Sequence, residues 1–288
     1  MSRRALDAAV AIARADGLRC DAPVVLRDAS NLLVHLAPAP VVARVMTVTA
    51  TVRDGAAWLA REVAIARHLV AAGAPVVAPS GEIDPGPHRH DGFTASFWTY
   101  VDEAGRRLDA REAGRRLRTC HDALTTYDGE LRELPALDEA LAQLGPLAAS
   151  GALAEDDAAL LREAGERARG RIDELALARQ PIHGDAHLSN VIAGPDGPLW
   201  NDWEDAFRGP RAWDLGCMHA AARAFGGDPD AVAAAQDGYG ETPADGVLDA
   251  FVEARRLQGT IWIAIMAAQR PDRRERAAAL LGYYRERG

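Results

Sequence analysis

The fold is decided by two stretches of sequence, residues 183–190 (His-Gly-Asp-Ala-His-Leu-Ser-Asn) and residues 200–204 (Trp-Asn-Asp-Trp-Glu). Asn190 stands five residues after Asp185, and Asp202 stands twelve residues after Asn190. Phosphoryl transfer needs a carboxylate that orients the attacking hydroxyl, together with an amide oxygen and a second carboxylate that hold Mg²⁺ on the nucleotide phosphates. The spacing therefore predicts Asp185 as the catalytic base and Asn190 and Asp202 as the Mg²⁺ ligands.

Three linked segments of the chain resemble those of the aminoglycoside phosphotransferase and choline kinase-like family, which are small-molecule kinases of the protein kinase-like fold. Residues 183–190 resemble its catalytic loop, residues 202–204 its metal-binding segment, and residues 209–215 the turn and helix start that follow. Protein kinases space the catalytic Asp and the Asn in the same way but carry an Arg where this chain has Gly184. Three segments in the right order are a more specific signal than one motif.

The resemblance implies an α+β, bilobal protein kinase-like fold. A small β-rich N-lobe, residues 1–101, is expected to bind the nucleotide, and a larger helical C-lobe, residues 102–288, is expected to carry the catalytic loop, the metal site and the acceptor-binding helices. The hydrophobic pattern agrees with this order, because short β-branched stretches precede the boundary and helical spacing dominates after it. Strands are predicted at residues 24–26, 32–36, 41–48, 76–77 and 93–101, and helices at 2–16, 55–72, 109–127, 137–149, 156–177, 213–224, 246–269 and 272–284.

Arg44 and Glu62 stand where the resembled family has a phosphate-binding Lys on the third strand and its Glu partner on the next helix. The chain contains no Lys, so all 33 of its Lys and Arg residues are Arg. A guanidinium binds phosphate oxygens in a fork, but it is longer and flatter than an ammonium and is always charged. Two interpretations follow: Arg44 does the work of the Lys in an active kinase, or the protein is a nucleotide-binding pseudokinase that acts through a partner. The intact catalytic and metal positions favour the first.

The remaining nucleotide contacts are predicted from the order of the segments. The turn at residues 27–31 contains no Gly, unlike the glycine-rich loop of protein kinases, but Ser30 and Asn31 could contact phosphate. By the resemblance, the base of ATP or GTP is expected near residues 97–101, which include Trp98, Tyr100 and Val101.

Several residues beside the motifs are interpreted as structural. Either Glu204 or Asp205 could assist the metal site, but the favoured interpretation is that both are solvent-facing loop charges. His183 and His187 are expected to fix the catalytic loop, because a zinc site would need further convergent ligands that the sequence does not show. Asp214 is expected at a helix start, where a carboxylate can cap backbone amides, and the resemblance implies that it braces the catalytic loop.

The composition argues against several classes of protein. The chain has 288 residues and a net charge of −9, without the basic patch of a nucleic-acid binder. No apolar run reaches the roughly 18–20 residues that span a bilayer, so no membrane partner is expected. The three cysteines are far apart and odd in number, which favours the reducing cytoplasm over a disulfide-bonded exterior.

The predicted function is transfer of the γ-phosphoryl group of ATP or GTP, with Mg²⁺, to a hydroxyl of a small molecule such as an aminoglycoside-like antibiotic or another metabolite. A protein acceptor is disfavoured because no Ala-Pro-Glu type of activation segment follows Asp202. After residue 101 the chain carries 33 Asp and Glu against 23 Arg. Such a surface is most simply a solvated one, but it also favours a cationic acceptor.

Overall fold

The computed structural model describes residues 2–287, apart from the side chain of Asp245. Met1 and Gly288, which the predicted lobes include, lie outside the described residues. The chain divides into two compact units. Unit 1 runs to Gly129 and includes Asn190–Asp205, and unit 2 comprises Glu130–Ser189 and resumes at Ala206. The lobe boundary near residue 101 stays a prediction.

A five-stranded antiparallel sheet forms the first part of unit 1, with the strand order β1-β2-β3-β5-β4. Buried β-branched and aromatic side chains of its inner strands pack against helix α1, which agrees with the preference of these residue types for half-buried strands. The strands are β1 (Val24–Asp28), β2 (Asn31–His35), β3 (Val41–Met46), β4 (His88–His90) and β5 (Phe93–Thr99), and helix α1 spans Ser2–Ala15.

Two further helices and a hairpin complete unit 1. Helix α2 spans Gly55–Ala71 and helix α3 spans Ala110–Leu124, and each begins after an Asp whose side chain accepts a hydrogen bond from a backbone amide of the first turn. Asp is a preferred residue at this position because it satisfies an amide that the helix leaves unpaired. Strands β7 (Val191–Gly194) and β8 (Gly197–Trp200) form an antiparallel hairpin.

Trp200, at the end of β8, anchors this hairpin within unit 1. Its ring is fully buried, and Nε1 donates to the carbonyl of Ala113 on α3 at 2.9 Å. Its backbone exchanges hydrogen bonds with Pro75 (3.0 Å) and Val77 (2.9 Å). The strand predicted at residues 76–77 is wrong, since this segment forms an isolated bridge to Trp200 and lies between Pro75 and Pro79, which have no amide hydrogen to donate.

Among the described residues of unit 2, the regular elements are helices apart from one two-stranded antiparallel pair. Helix α9 packs against α4, α5, α6, α7 and α10. No helix within residues 2–287 combines the length and the apolar character that crossing a bilayer requires. The helices are α4 (Ala136–Ala142), α5 (Leu144–Ala149), α6 (Glu155–Glu174), α7 (Arg211–Phe225), α8 (Pro229–Tyr239), α9 (Asp245–Gln269) and α10 (Arg274–Arg285), and the strands are β6 (Gln180–Ile182) and β9 (Phe207–Gly209).

One helix prediction in unit 2 is corrected, and one helix of this unit was not predicted. The single helix predicted at residues 137–149 is two helices, with the break at Gln143, just before Gly145-Pro146. Pro is tolerated in the first turn of a helix but not in its interior. The prediction missed helix α8, although Asp228-Pro229 is a typical start: the Asp side chain accepts from the amide of Asp230 at 2.9 Å, and Pro occupies the first helical position.

Helices α7 and α9 approach each other closely at Gly216. A methyl group placed on Gly216 would lie 2.5 Å from Cβ and 3.0 Å from the backbone carbon of Phe251 on α9. Such distances are shorter than carbon–carbon contact. The absence of a side chain at this position therefore sets how near α7 lies to α9.

We expect Gly216→Ala to lower the free energy of unfolding by about 1–3 kcal/mol, because the added methyl overpacks the contact with Phe251. Gly170 on α6 is the matched control, since a methyl there meets nothing within 4 Å. Gly170→Ala should raise the free energy of unfolding by about 0.5–1 kcal/mol by lowering the entropy of the unfolded chain. Denaturant unfolding of both variants tests the packing, and equal effects would contradict it.

Candidate active site

Arg44 and Glu62 form a buried ion pair in unit 1. Arg44 lies on β3 between Leu33 of β2 and Ser96 of β5. Its Nη1 is 2.9 Å from Oε1 of Glu62, which lies in the middle of α2, and the two side chains are 6% and 1% exposed. The structure therefore places the two residues in the strand-to-helix pairing that the resemblance implied for them.

The guanidinium of Arg44 also holds the segment that follows β8. Nη2 lies 2.7 Å from Oδ1 of Asp202 and 2.9 Å from Oε1 of Glu204. With the amide of Asn31 oriented so that both of its ends are satisfied, its oxygen accepts from Nε at 3.2 Å and from Nη2 at 2.8 Å. Every nitrogen of Arg44 thus has a partner, and no single ammonium group could occupy all these positions.

The turn between β1 and β2 belongs to the same cluster. The carbonyl of Ser30 accepts from Oγ1 of Thr47 at 3.0 Å and from the amide of Thr49 at 3.3 Å. The Asn31 amide nitrogen donates to the Ser30 carbonyl at 3.1 Å and also contacts Oγ1 of Thr49. The structure therefore brings five residues that were selected from the sequence into one hydrogen-bonded cluster: Ser30, Asn31, Arg44, Glu62 and Asp202.

Glu204 and Asp205 are not solvent-facing loop charges, so that expectation is wrong. The Glu204 side chain is 7% exposed, and both residues pair with Arg53, at 3.4 Å and 2.6 Å respectively. The Arg53 guanidinium in turn lies 3.9 Å from the centre of the Trp58 ring. The ring of Trp203 is buried and holds this segment in unit 1. In the sequence, this Trp was the available signal that the segment packs inward.

The acidic cluster, meaning Glu62, Asp202, Glu204 and Asp205, contains four carboxyl groups and has two guanidinium partners, Arg44 and Arg53. Burial raises the pKa of Glu62 to about 8 and that of Glu204 to about 7, and neighbouring carboxylates add to both shifts, whereas the Arg44 guanidinium opposes them. Burial would lower the pKa of Arg44, but the surrounding carboxylates outweigh it and hold that pKa well above its usual value.

Two oxygens of the acidic cluster fit a further cation. Oε2 of Glu62 and Oε2 of Glu204 are buried without a hydrogen-bond partner among the described residues. Surplus carboxylate oxygen beside Asp202 is the donor chemistry that a hard divalent cation prefers. Within residues 2–287, no three His, Cys, Asp or Glu side chains converge as a metal site. Mg²⁺ commonly takes only one or two protein groups, with phosphates and water as its other ligands.

Asn190 and Asp202 lie at the two ends of the β7–β8 hairpin. The carbonyl of Asn190 accepts from both the backbone amide (3.0 Å) and Nδ2 (2.9 Å) of Asn201. Asp202 has φ of 68°, a left-handed conformation that is unusual outside Gly but tolerated by Asp. Its side chain remains 28% exposed. Sequence reasoning missed Asn201, whose side chain ties the two predicted metal ligands together in unit 1.

The part of the predicted catalytic loop that lies in unit 2 is held by Asp214, in the first turn of α7. Its two carboxylate oxygens accept from the backbone amides of His183 (2.8 Å) and Gly184 (2.9 Å). Trp213 Nε1 donates to the Gly184 carbonyl at 2.9 Å, and Gly184 has φ of 84°, a conformation that favours Gly. Asp214 therefore contacts the catalytic loop, as the resemblance implied.

Asp185 is engaged at both carboxylate oxygens. Arg255 of α9 donates to Oδ1, and Nε2 of His187 lies 3.5 Å from Oδ2. Its backbone amide donates to Nδ1 of the fully buried His183 at 3.3 Å. Burial alone would raise the pKa of Asp185, but the charges of Arg255 and His187 outweigh it and hold that pKa well below its ordinary value. No motif pointed to Arg255.

The segment predicted to bind the nucleotide base, residues 97–101, spans the end of β5 and the residues just after it. The Trp98 indole donates to Oγ of Ser96 at 2.9 Å, and the ring of Tyr100 stacks on that of His35 with centres 3.7 Å apart. Val101 packs on the cluster that includes Trp98. These contacts fix the segment, and its role toward a nucleotide stays a prediction.

A family model for a phosphotransferase enzyme family, APH, matches residues 21–251. The chain belongs to this family. No curated protein matches the sequence. The APH assignment confirms the resemblance that the three linked segments carried, and it makes the protein a phosphotransferase by family.

Solved structures share the fold of this APH family member. Amicoumacin kinase hAmiN, in complex with AMP-PNP, Ca²⁺ and Ami, is 13% identical with a TM-score of 0.70, over 92% of this chain and 88% of its own. A choline/ethanolamine kinase family protein from Mesorhizobium loti is 17% identical with a TM-score of 0.65, over 93% and 88%. An APH(2") enzyme in complex with GDP and kanamycin is 14% identical with a TM-score of 0.62, over 97% and 98%. These likenesses confirm the predicted protein kinase-like fold.

We expect Arg44→Lys to lower the free energy of unfolding by about 1–3 kcal/mol, because one ammonium leaves buried acceptors of the cluster without partners. Arg3→Lys on α1, where the Arg side chain is 85% exposed, is the matched control and should change little. Denaturant unfolding measures both. An Arg44→Lys protein as stable as the control would show that the cluster accepts either cation.

We expect Asp214→Asn to lower the free energy of unfolding by about 1–3 kcal/mol, because an NH₂ group would face a backbone amide that now has an acceptor. Amide hydrogen exchange at His183 and Gly184 should accelerate at the same time. Asp173→Asn, at an exposed position of α6, serves as the control. Unchanged exchange at both amides would contradict the conclusion that Asp214 holds this loop through its two hydrogen bonds.

Proposed function

We propose that the protein transfers the γ-phosphoryl group of ATP or GTP to a hydroxyl of a small molecule. The observation that carries this proposal is that Asp214 holds the proposed catalytic loop. Its carboxylate accepts hydrogen bonds from the amides of His183 and Gly184, and Asp185 follows directly. Asn190 and Asp202 complete the set of groups that phosphoryl transfer requires. Membership of the APH family supports the same class of reaction.

Asp185 is the residue that handles the acceptor hydroxyl. A bond forms between the acceptor oxygen and the γ-phosphorus, and the bond from that phosphorus to the β-phosphate oxygen breaks. Asp185 orients the hydroxyl and receives its proton. Because the pKa of Asp185 is held low, orientation is its larger contribution, which suits a loose transition state in which little proton transfer is needed before the phosphoryl group moves.

Asn190 and Asp202 are the residues that would hold Mg²⁺, and the unpaired oxygens of the acidic cluster support the choice of a divalent cation. When bound, Mg²⁺ would neutralise phosphate charge on the nucleotide. Arg44, kept in place by Glu62, adds fixed positive charge on the phosphate side. Mg²⁺ binding near Asp202 would also relieve the excess negative charge that surrounds Arg44.

Ser30 and Asn31 are the proposed phosphate contacts from the first turn, and Trp98, Tyr100 and Val101 are proposed to line the position of the base. Amicoumacin kinase hAmiN was solved with AMP-PNP and the APH(2") enzyme with GDP, so structures with this fold accommodate either purine. Their other ligands, Ami and kanamycin, are small molecules. This supports a small-molecule acceptor for the present chain.

One observation favours a second function, that of a nucleotide-binding pseudokinase acting through a partner. Arg44 engages Asp202 at 2.7 Å, so a proposed metal ligand is already neutralised by a protein cation. A protein that keeps this contact with nucleotide bound would bind without transferring. Turnover in the presence of an acceptor therefore distinguishes the two functions.

The test is a screen of ATP and GTP consumption, with and without Mg²⁺, against aminoglycosides, other antibiotics, amino alcohols, sugars and hydroxy acids. Asp185→Asn should lower turnover by roughly 10²–10⁴-fold while nucleotide affinity stays near that of the wild type. Asp202→Asn should instead weaken binding of the Mg²⁺-nucleotide. Asp173→Asn, an exposed carboxylate of the same unit as Asp185, should match the wild type.

Mg²⁺-dependent turnover that one acceptor stimulates and Asp185→Asn abolishes would establish the kinase. Nucleotide binding without turnover on any acceptor would establish the pseudokinase instead. Normal turnover in both Asp185→Asn and Asp202→Asn would overturn the site assignment.

A further inference from the structure

Arg255 contacts the proposed catalytic base in a way that the reaction itself does not require. Its Nη2 donates to Oδ1 of Asp185, and the two side chains are only 15% and 20% exposed. Charge-assisted pairs of this kind are among the stronger hydrogen bonds in proteins. A base that must bond to an acceptor hydroxyl is therefore already occupied by a guanidinium.

A neutral neighbour fixes the other end of this guanidinium. Oε1 of Gln258, one turn further along α9, accepts from Nη1 of Arg255 at 2.8 Å. The adjacent Arg256 shows a different arrangement, since its Nε lies 3.7 Å from the carboxylate of Glu253 on the same helix. Gln258 thus holds Arg255 in position without neutralising its charge. If another anion replaced Asp185 as the partner of Arg255, the guanidinium would therefore stay in place.

The face of α9 that carries Arg255 is suited to an anion rather than to an amine. Positions three, four and seven residues away share a helix face with a given residue. An ammonium group near Asp185 would meet the fixed charge of Arg255, and Asp185 would be its carboxylate partner there, since this face of α9 carries no acidic side chain. The residues at these positions are Leu248, Phe251, Val252, Gln258, Gly259 and Trp262.

We propose that the acceptor carries an oxyanion, a carboxylate or a phosphate, which binds Arg255 while its hydroxyl binds Asp185. This inference rests on the proposed phosphotransferase function and names its acceptor class. A guanidinium fork matches carboxylate and phosphate equally well. The substrate oxyanion replaces Asp185 as the partner of Arg255, and Oδ1 of Asp185 becomes available to the hydroxyl. The acidic composition favoured a cationic acceptor. We give more weight to the positive charge of Arg255, because it lies directly beside Asp185.

Binding of a matched series tests the inference without depending on turnover. Glycerate, glycerol 3-phosphate, glycerol and 3-aminopropane-1,2-diol share a three-carbon frame and differ in the charge of one group. We expect the two anions to raise the melting temperature of the wild type and the amine not to. Arg255→Gln should abolish the effect of the anions, Arg255→Lys should retain part of it, and Arg162→Gln, an exposed Arg of α6, should leave it unchanged.

Kinetics on the acceptor found by the functional screen supply the second arm. For an acceptor with an oxyanion, Arg255→Gln should lower kcat/KM by about 10- to 100-fold, mainly through a higher KM. The effect on a neutral analogue should be much smaller. Arg255→Lys should restore part of the activity, which a merely structural loss in Arg255→Gln would not predict.

The outcomes separate this inference from the proposed function. Anion binding that depends on Arg255 supports it even before an acceptor is found. If the anions produce no shift that depends on Arg255, or if the best acceptor is a cation whose kcat/KM is indifferent to Arg255→Gln, the acceptor class is wrong although the kinase stands. If no acceptor is turned over, the kinase function fails, and the binding series still decides whether Arg255 is an oxyanion site.

Discussion

The guanidinium of Arg44 is the group around which unit 1 is organised. It joins strand β3 to helix α2 through Glu62, to the turn before β2 through Asn31, and to the segment after β8 through Asp202 and Glu204. Three separate parts of the chain therefore converge on one buried cation. Because a buried charge is costly unless it is paired and hydrogen-bonded, none of these segments can move without loss to the others.

A second buried constraint organises the predicted catalytic loop in unit 2. Asp214 uses both carboxylate oxygens to hold consecutive amides, and Gly184 adopts the left-handed conformation that directs the chain into Asp185. The close approach of α7 to α9 at Gly216 places two charged residues on neighbouring helices, Asp214 on one and Arg255 on the other. The geometry of this loop and the position of the charge beside Asp185 therefore depend on the same helix packing.

Much of the fold and the site was predictable because it depends on local pattern. The strand–helix order of unit 1 follows from periodicity, and the motif residues follow from spacing. Two of the failures were non-local. Residues 76–77 look like a strand but have Trp200 as a lone bridging partner. Glu204 looks like a loop charge but is buried, because Trp203 beside it packs inward and because Arg44 and Arg53 pair with its carboxylate.

The sequence by itself determined the class of protein: the spacing of Asp185, Asn190 and Asp202 is a covalent property, and no folding is needed to read it. Tertiary structure alone decided which charges meet. Arg255 lies 70 residues from Asp185 along the chain, and Arg53 lies 152 residues from Asp205. Electrostatic and hydrogen-bonding energies depend on distance in space, so the partners of each ionised group became visible only in the folded chain.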